Sequence, residues 1–325
     1  MTLAFSVYSS KGVYALLLGS GVSRAAQIPT SWEITEDLIG KVARLRGQEI
    51  SADPAGWYRT AYGKEPTYSD LLEQLAKTPA ERSQLLRSYV EPTPEQRGLG
   101  EKLPTAAHSA IARLVSKGYI KIVLTTNFDR LLETALEAEG VRPTVLSTTD
   151  AIKGSLPIQH TSCCVVKVHG DYMDTRIRNT PSELAKYEKP IDELLDRVLD
   201  EFGLIVCGWS AEWDLALRAA IERCPNRRFT TYWCSKGSLN GQAERLARLR
   251  KAEVLSIQSA DEFFGELYEK IISLESLSAN HPLSSKLAAA TVKRYVSNPE
   301  RKIDRVITES CGSGAGMKKA AYPSA

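Results

Sequence analysis

Residues 122–129, Ile122-Val123-Leu124-Thr125-Thr126-Asn127-Phe128-Asp129, decide the fold that the sequence predicts. An apolar run ends here in two hydroxyls, an amide and a carboxylate. Such runs are typical of buried strands in parallel sheets, and ligands of open α/β sheets bind beyond the carboxyl ends of these strands. We therefore expect Asn127 and Asp129 to lie at a ligand site. Helix capping by either side chain is the alternative.

Three other apolar runs end in the same manner. Because parallel strands end at one edge of their sheet, we expect all four ends to converge there. Tyr14–Leu18 is followed by Gly19-Ser20-Gly21-Val22-Ser23, Cys163–Val168 by His169-Gly170-Asp171, and Leu204–Cys207 by Gly208-Trp209-Ser210.

Helical patterns separate the strands, which predicts an α/β fold, a Rossmann-like parallel sheet with helices on both faces. Residues from about 47 to 102 are richer in proline and polar residues and predict a small helical insertion. The main helices are expected at Trp32–Leu45, Phe128–Ala138, Ser182–Phe202, Glu212–Arg223 and Asp261–Leu274, and two further strands at Phe229–Trp233 and Val254–Ile257.

Two regions are expected along the chain. Residues 1–278 are predicted to form one domain that contains the sheet and the helical insertion. Residues 279–325 are predicted to form an extension, helical over 286–296 and disordered from 310, where glycine, serine and alanine dominate.

Each strand end carries side chains with a chemical use and a simpler structural explanation. Glycines in the Gly19–Ser23 turn allow close approach to a phosphate, or only a tight turn. Arg24 and the next residue stand where the third glycine of a complete G-x-G-x-x-G would be. His169 suits a general base or a structural hydrogen bond. Gly208 and Ser210 suit a nucleotide cradle with Trp209 packed over it, or a turn in which Ser210 begins the next helix.

Composition narrows the function classes. The chain has 325 residues and a net charge of +3 from 42 basic and 39 acidic residues, so no global charge favours nucleic acid or a membrane. Apolar runs stay below the ~18–20 residues of a membrane span, and residues 1–6 lack a basic signal-peptide start. None of the six cysteines forms a C-x-x-C pair, which argues against a zinc ribbon. Cysteines buried as small hydrophobes fit a reducing, cytoplasmic location.

Taken in order, these motifs resemble the sirtuin superfamily in its SIR2-like branch, over about residues 13 to 275. The turn after the first strand, with Ile28-Pro29, is similar to G-A-G-x-S…G-I-P. The other matches are Pro104-Thr105-Ala106-Ala107-His108 with P-T-x-x-H, Thr125-Thr126-Asn127-Phe128-Asp129 with T-Q-N-x-D, His169-Gly170 with H-G, and Gly208-Trp209-Ser210 with G-T-S.

The resemblance implies that NAD+ is the substrate and that its nicotinamide–ribose bond is cleaved. It implies that Asn127 holds the ribose or a water near C1′ and that His169 is the general base. Asp129 would lie near the nicotinamide or its ribose. The remaining residues implied to bind the dinucleotide are Gly19, Ser20, Gly21 and Ser23 at the phosphates, Thr126, and Gly208, Trp209 and Ser210 toward the adenosine.

Departures from the deacylase branch point to a different acceptor. The two C-x-x-C pairs that hold zinc are missing, so no zinc is expected, and Gln27-Ile28-Pro29-Thr30-Ser31-Trp32 replaces G-I-P-D-F-R. The pattern resembles bacterial SIR2-like NADases of antiviral defence, in which water is the acceptor. That resemblance implies a homo-oligomer or a defence partner such as a short Argonaute or a HerA-like ATPase. A sensor that binds NAD+ or ADP-ribose without turnover and a protein deacylase are the alternatives.

Overall fold

The fold is an α/β sheet that places the predicted strand ends side by side. The computed structural model describes residues 2–50, 53–173, 184–279, 289–290 and 292–293. In this part of the chain, seven parallel strands form one sheet in the order β3-β4-β2-β1-β5-β6-β7. The strands are β1 (Tyr14–Leu18), β2 (Ile120–Thr125), β3 (Thr144–Leu146), β4 (Cys164–Lys167), β5 (Gly203–Cys207), β6 (Tyr232–Ser235) and β7 (Glu253–Ser256).

Register brings the ends of the four central strands into one row. Leu18 at the end of β1 pairs with Thr125 of β2 on one side and with Cys207 of β5 on the other. Thr125 in turn pairs with Lys167 at the end of β4. The predicted convergence is therefore confirmed, and the strand order reverses between β1 and β5, where open α/β sheets bind ligands.

Helices cover both faces of the sheet, as the alternating pattern predicts. The central strands are buried along their whole length, except at Lys121 in β2, which is why they read as nearly continuous apolar runs. One face packs against α1 (Thr2–Ser9), α7 (Ala106–Ser116), α8 (Leu131–Ala138) and α13 (Ala260–Ala279), and the other against α10 (Lys189–Glu201), α11 (Leu215–Arg223) and α12 (Gly241–Arg250).

A second, smaller core belongs to the helical insertion. Ile34 and Leu38 of α2 (Ser31–Leu45) pack with Tyr58, Leu71 and Leu86 from the insertion helices. The predicted insertion is thus present as helices, and α2 supplies the surface on which they pack. The insertion helices are α3 (Pro54–Tyr62), α4 (Tyr68–Leu75), α5 (Pro79–Val90) and α6 (Pro94–Gly98), and α9 (Thr149–Gly154) lies later, between β3 and β4.

Several predicted helices and strands begin too early. The helix expected from Phe128 begins at Leu131, and that from Glu212 begins at Leu215. The start of the helix expected from Ser182 lies outside the described residues, and within them residues 184–185 and α10, from Lys189, are helical. The strand expected from Phe229 begins at Tyr232. After β2 and β5 the intervening residues form turns in which side chains hold the backbone, so apolar spacing alone misplaces the starts.

Contacts divide the chain into residues 1–271, which contain the sheet, and residues 272–325. Of the second unit, the structure describes the end of α13 and helical residues at 289–290 and 292–293. Most of the helix predicted over 286–296 and the disorder predicted from 310 lie outside the described residues. Within the described ranges, no helix combines the length and apolarity that a membrane crossing needs.

A buried lysine ties the end of β4 to the loop after β2. The Lys167 side chain is fully buried, and its Nζ lies 2.9 Å from Glu133 Oε1 and 3.1 Å from Asp171 Oδ2. The same ammonium donates to the carbonyl oxygens of Phe128 and Asp129. Because a buried charge is tolerated only when it is paired and hydrogen-bonded, this cluster fixes where the two strands end.

We predict that Lys167→Met lowers the free energy of unfolding by about 3–5 kcal/mol. The substitution leaves buried Glu133 without its cation and, among the described residues, Asp171 with only Arg130, whose Nε lies 3.9 Å from Oδ2. Urea unfolding followed by circular dichroism measures the change. Lys189→Met is the matched control, since its ion pair with Glu193 is exposed and its loss should cost no more than about 0.5 kcal/mol. Equal unfolding midpoints for Lys167→Met and the wild type would contradict the role assigned to the cluster.

Candidate active site

A cavity of about 310 Å³ opens at the row of strand ends. It is within the volume range of small-molecule sites. Residues from all four strand ends line it, so the structure brings the predicted site residues together. Those in its wall are Ser20, Ser23, Thr126, Asn127, Asp129, His169, Gly208, Trp209 and Ser210.

The orientation of the Asn127 amide is set by two acceptors. Its Nδ2 donates to the carbonyl oxygen of Gly19 at 3.2 Å and to Ser23 Oγ at 3.0 Å. Ser23 Oγ donates onward to Asp129 Oδ2 at 2.8 Å. With the amide in this orientation, Asn127 Oδ1 is buried and has no hydrogen-bond partner among the described residues. A buried acceptor of this kind needs a partner, and a ligand or water in the cavity would supply it.

Asp129 serves the local fold with both of its oxygens. Oδ1 accepts from the backbone N–H of Leu131 at 3.1 Å, at the start of α8, and Oδ2 accepts from Ser23. The N-cap residue of α8 is Arg130, without a side-chain cap, so the capping alternative is wrong for Asp129, which instead holds the turn before the helix. The predicted contact of Asp129 with the ligand stays a prediction, as does that of Ser23, whose hydroxyl is engaged with Asn127 and Asp129.

His169 is paired with Asp214, which lies between β5 and α11. Its Nε2 contacts Asp214 Oδ1, and Trp209 Nε1 donates to Asp214 Oδ2 at 2.7 Å. Burial disfavours the charged carboxylate, but His169, Trp209 and Arg218 together hold the pKa of Asp214 below its usual value. An ionised Asp214 favours the tautomer that has its proton on Nε2, in which Nδ1 is the acceptor.

The turns after β1 and β5 touch backbone to backbone. Gly21 N–H donates to the carbonyl oxygen of Gly208 at 3.0 Å, and a Cβ on Gly19 would lie 2.3 Å from that oxygen. Gly208 has φ +71°, and a Cβ there would lie 2.7 Å from the Val22 nitrogen. These glycines are required by the contact itself. Short 3₁₀ turns rather than an α-helix follow Gly19, so this turn does not lead into an α-helix N-terminus.

A second cavity, of about 580 Å³, lies beside this contact. The turn of Gly208 to Ser210 lines both cavities, so the two share a wall. Residues after β6 and β7 complete the larger one. The residues after β6 and β7 are not indicated by the sequence analysis, although both strands also end in polar residues. The lining of the larger cavity includes Gly21, Arg24, Ser235, Asn240, Ile257 and Gln258.

The alternative role for Ser210 is wrong. Helix α11 begins at Leu215 with Asp214 as its N-cap residue, whereas Ser210 Oγ accepts only from the Glu212 N–H at 3.4 Å. Ala211 next to it has φ +59°, a left-handed conformation that residues with a side chain seldom adopt. This strained turn lets Asp214 point back to His169.

Asp214 is a residue of the candidate site that the sequence pattern does not indicate. The sequence pattern predicts a helix from Glu212 that includes Asp214, and it contains no sign of a contact with His169. As for metals, no group of three or more His, Cys, Asp or Glu side chains within the described ranges is arranged to hold an ion. Cys163, Cys164 and Cys207 are buried free thiols, as predicted from their apolar runs; Cys234 is buried as well, whereas Cys224 is partly exposed.

Comparison with known proteins identifies the domain type. Residues 121–257, from β2 to β7, match the model of the SIR2-like domain. A solved complex of a Sir2 homologue with NAD is 18% identical with a TM-score of 0.48, over 84% of this chain and 94% of that chain. A Sir2 homologue mutant with 2′-O-acetyl ADP-ribose is 18% identical with a TM-score of 0.50, over 86% and 99%. No curated protein matches the chain.

The chain therefore has the sirtuin-like fold, with a SIR2-like domain matched over residues 121–257.

Proposed function

We propose that the protein is an NAD+ glycohydrolase, which cleaves the nicotinamide–ribose bond and releases ADP-ribose and nicotinamide. One observation carries the proposal. The same cavity contains the acceptor Asn127 Oδ1, which has no partner among the described residues, and the His169–Asp214 pair. Solved Sir2 homologues bind NAD or an ADP-ribose derivative, so NAD+ and ADP-ribose are the ligands to test.

The chemistry needs one acceptor and one base. The bond from C1′ to the nicotinamide nitrogen breaks with its electron pair moving to nitrogen, so the cationic ring leaves neutral and needs no acid. A water oxygen bonds to C1′, and its proton passes to His169 Nδ1, directly or through a ribose hydroxyl. Asn127 Oδ1 accepts a hydrogen bond from that water or from the ribose, and ionised Asp214 stabilises the imidazolium that forms.

The two cavities divide the dinucleotide between them. The smaller one takes the nicotinamide and its ribose, with Thr126 and Asp129 in its wall. The larger one takes the adenosine end, and the Gly19–Ser23 turn and Gly208–Ser210 form the passage for the phosphates. Trp209 borders both cavities, stacked on Trp233 with ring centroids 5.8 Å apart.

For the biological setting we propose NAD+ depletion in a bacterial antiviral defence system, in the cytoplasm. The support is the motif pattern alone: the sirtuin-type site residues without the cysteine pairs of the deacylases. Residues 1–278 would be the catalytic domain. A homo-oligomer, a short Argonaute or a HerA-like ATPase would keep the enzyme inactive until infection, because constant NAD+ loss is toxic.

Asn127→Ala and His169→Ala should each lower nicotinamide release by about 10²–10⁴-fold, because they remove the acceptor and the base. The assay follows nicotinamide release from NAD+ by chromatography. His160→Ala is the matched control, since His160 is exposed outside both cavities and should retain full activity. Melting temperatures close to that of the wild type would exclude misfolding as the cause.

Full activity in either variant would overturn the role of that residue. If the wild type binds NAD+ by calorimetry but releases no nicotinamide, even with a candidate partner present, the sensor alternative replaces the enzyme. Release that depends on an added acyl-lysine peptide would instead indicate a deacylase.

Asp214→Asn should lower kcat by about 10²-fold or more with little change in KM for NAD+. The amide can donate to Nε2, which would move the lone pair from Nδ1 to the wrong nitrogen. Asp192→Asn is the control, because Asp192 pairs with Arg223 on α11 outside both cavities. An unchanged kcat would show that Asp214 does not orient His169.

A further inference from the structure

Arg24 is a cation in the wall of the larger cavity that the proposed mechanism does not use. It begins the 3₁₀ turn Arg24–Ala26, directly after the Gly19–Ser23 turn, and lines the cavity with Gly21 and Gly208. Its side chain is 60% exposed. Arg24 therefore lies at the proposed phosphate passage, and its side chain remains open to solvent.

Among the described residues, a single carboxylate holds the guanidinium. Arg24 Nη1 donates to Glu33 Oε2 at 3.0 Å and Nη2 donates to Glu33 Oε1 at 2.8 Å. This is the forked geometry with which arginine binds planar oxyanions, and phosphate takes the same fork. The hydrogen bonds from Arg24 and from Thr30 lower the pKa of Glu33 to about 2, so Glu33 is an anion at physiological pH.

Glu33 has a second role that does not depend on Arg24. At position N3 of α2 its Oε2 accepts from the Thr30 N–H at 2.7 Å, while Thr30 Oγ1 accepts from the Glu33 N–H at 3.3 Å. This capping box holds the start of α2. Loss of Arg24 from Glu33 therefore leaves the helix capped, and the ion pair can open without unfolding the turn.

We propose that Arg24 binds a phosphate of the dinucleotide and that Glu33 competes with that phosphate for the guanidinium. The inference rests on the proposed function, because the larger cavity must take the phosphates. Exposed ion pairs are weak, whereas a pyrophosphate brings two negative charges and several acceptor oxygens to the same fork. Arg24 thus exchanges one carboxylate for a phosphate when the ligand enters.

The competition makes the effects of the two substitutions opposite in sign. Arg24→Gln should weaken ADP-ribose binding by about tenfold, since it removes a charge-assisted bond to phosphate. Glu33→Gln should strengthen it by about two- to fivefold, since it frees Arg24, and glutamine at N3 still accepts from Thr30. If the pair were merely structural, both substitutions would weaken binding.

The test is calorimetric titration of the full chain with ADP-ribose, which needs no turnover. In the double variant R24Q/E33Q, the affinity for ADP-ribose should equal that of R24Q, because without the Arg24 guanidinium there is no competition that Glu33→Gln could relieve. A gain from Glu33→Gln that persists in the R24Q background would reduce the effect to simple removal of a negative charge and overturn the competition. Arg59→Gln is the control, since Arg59 forms exposed ion pairs in the insertion.

Unchanged affinity in R24Q, with the wild type binding ADP-ribose, overturns this proposal alone. A wild type that binds neither ADP-ribose nor NAD+ overturns it together with the proposed function. Melting temperatures of all variants confirm that the fold is intact.

Discussion

The close approach of two backbone turns organises everything at this site. Gly19 and Gly208 pack so tightly that a Cβ on Gly19 would collide with a carbonyl oxygen 2.3 Å away. The contact joins β1 to β5 at the point where the strand order reverses, and the two cavities lie on either side of it. It also positions the carbonyl oxygen of Gly19 that receives the Asn127 amide. The glycines of the Gly19–Ser23 turn, which resemble a phosphate motif, are thus required by the packing of the two turns. Because they have no side chains, they also leave room for a ligand.

A second constraint acts from inside the sheet. Lys167 ends the strand that leads to His169, and its ammonium binds the backbone oxygens of Phe128 and Asp129 in the loop that carries Asn127. The two proposed catalytic side chains are therefore fixed to one buried charge cluster. Groups held in advance need no reorganisation during a reaction, which is the main way a protein stabilises developing charge. This arrangement requires ions to be buried, which disfavours their charged forms. Burial accordingly raises the pKa of the Glu133 carboxyl, although Lys167 opposes the shift.

The predictable part of the structure is the part that depends on the chain's local pattern. Apolar runs that stop at polar residues were sufficient to place Asn127, His169 and Gly208 at one edge, because register in a parallel sheet aligns strand ends. Asp214 escaped prediction, because its partner is His169, 45 positions earlier, and a left-handed Ala211 brings the two together. The late start of α8 has the same origin: Asp129 binds Ser23 across the sheet, and periodicity contains no information about such a contact.

Polar groups already satisfied by the protein also limit the chemistry. Ser23, both oxygens of Asp129 and the indole N–H of Trp209 are paired within the fold. Asn127 Oδ1 is left as an acceptor, and His169, in contact with Asp214, is the proposed base. Such a site suits a substrate whose leaving group departs as a neutral molecule without a proton, and a nucleophile that must give one up. The nicotinamide–ribose bond attacked by water meets both conditions, whereas a leaving group that departs as an anion would require a proton donor at the same place.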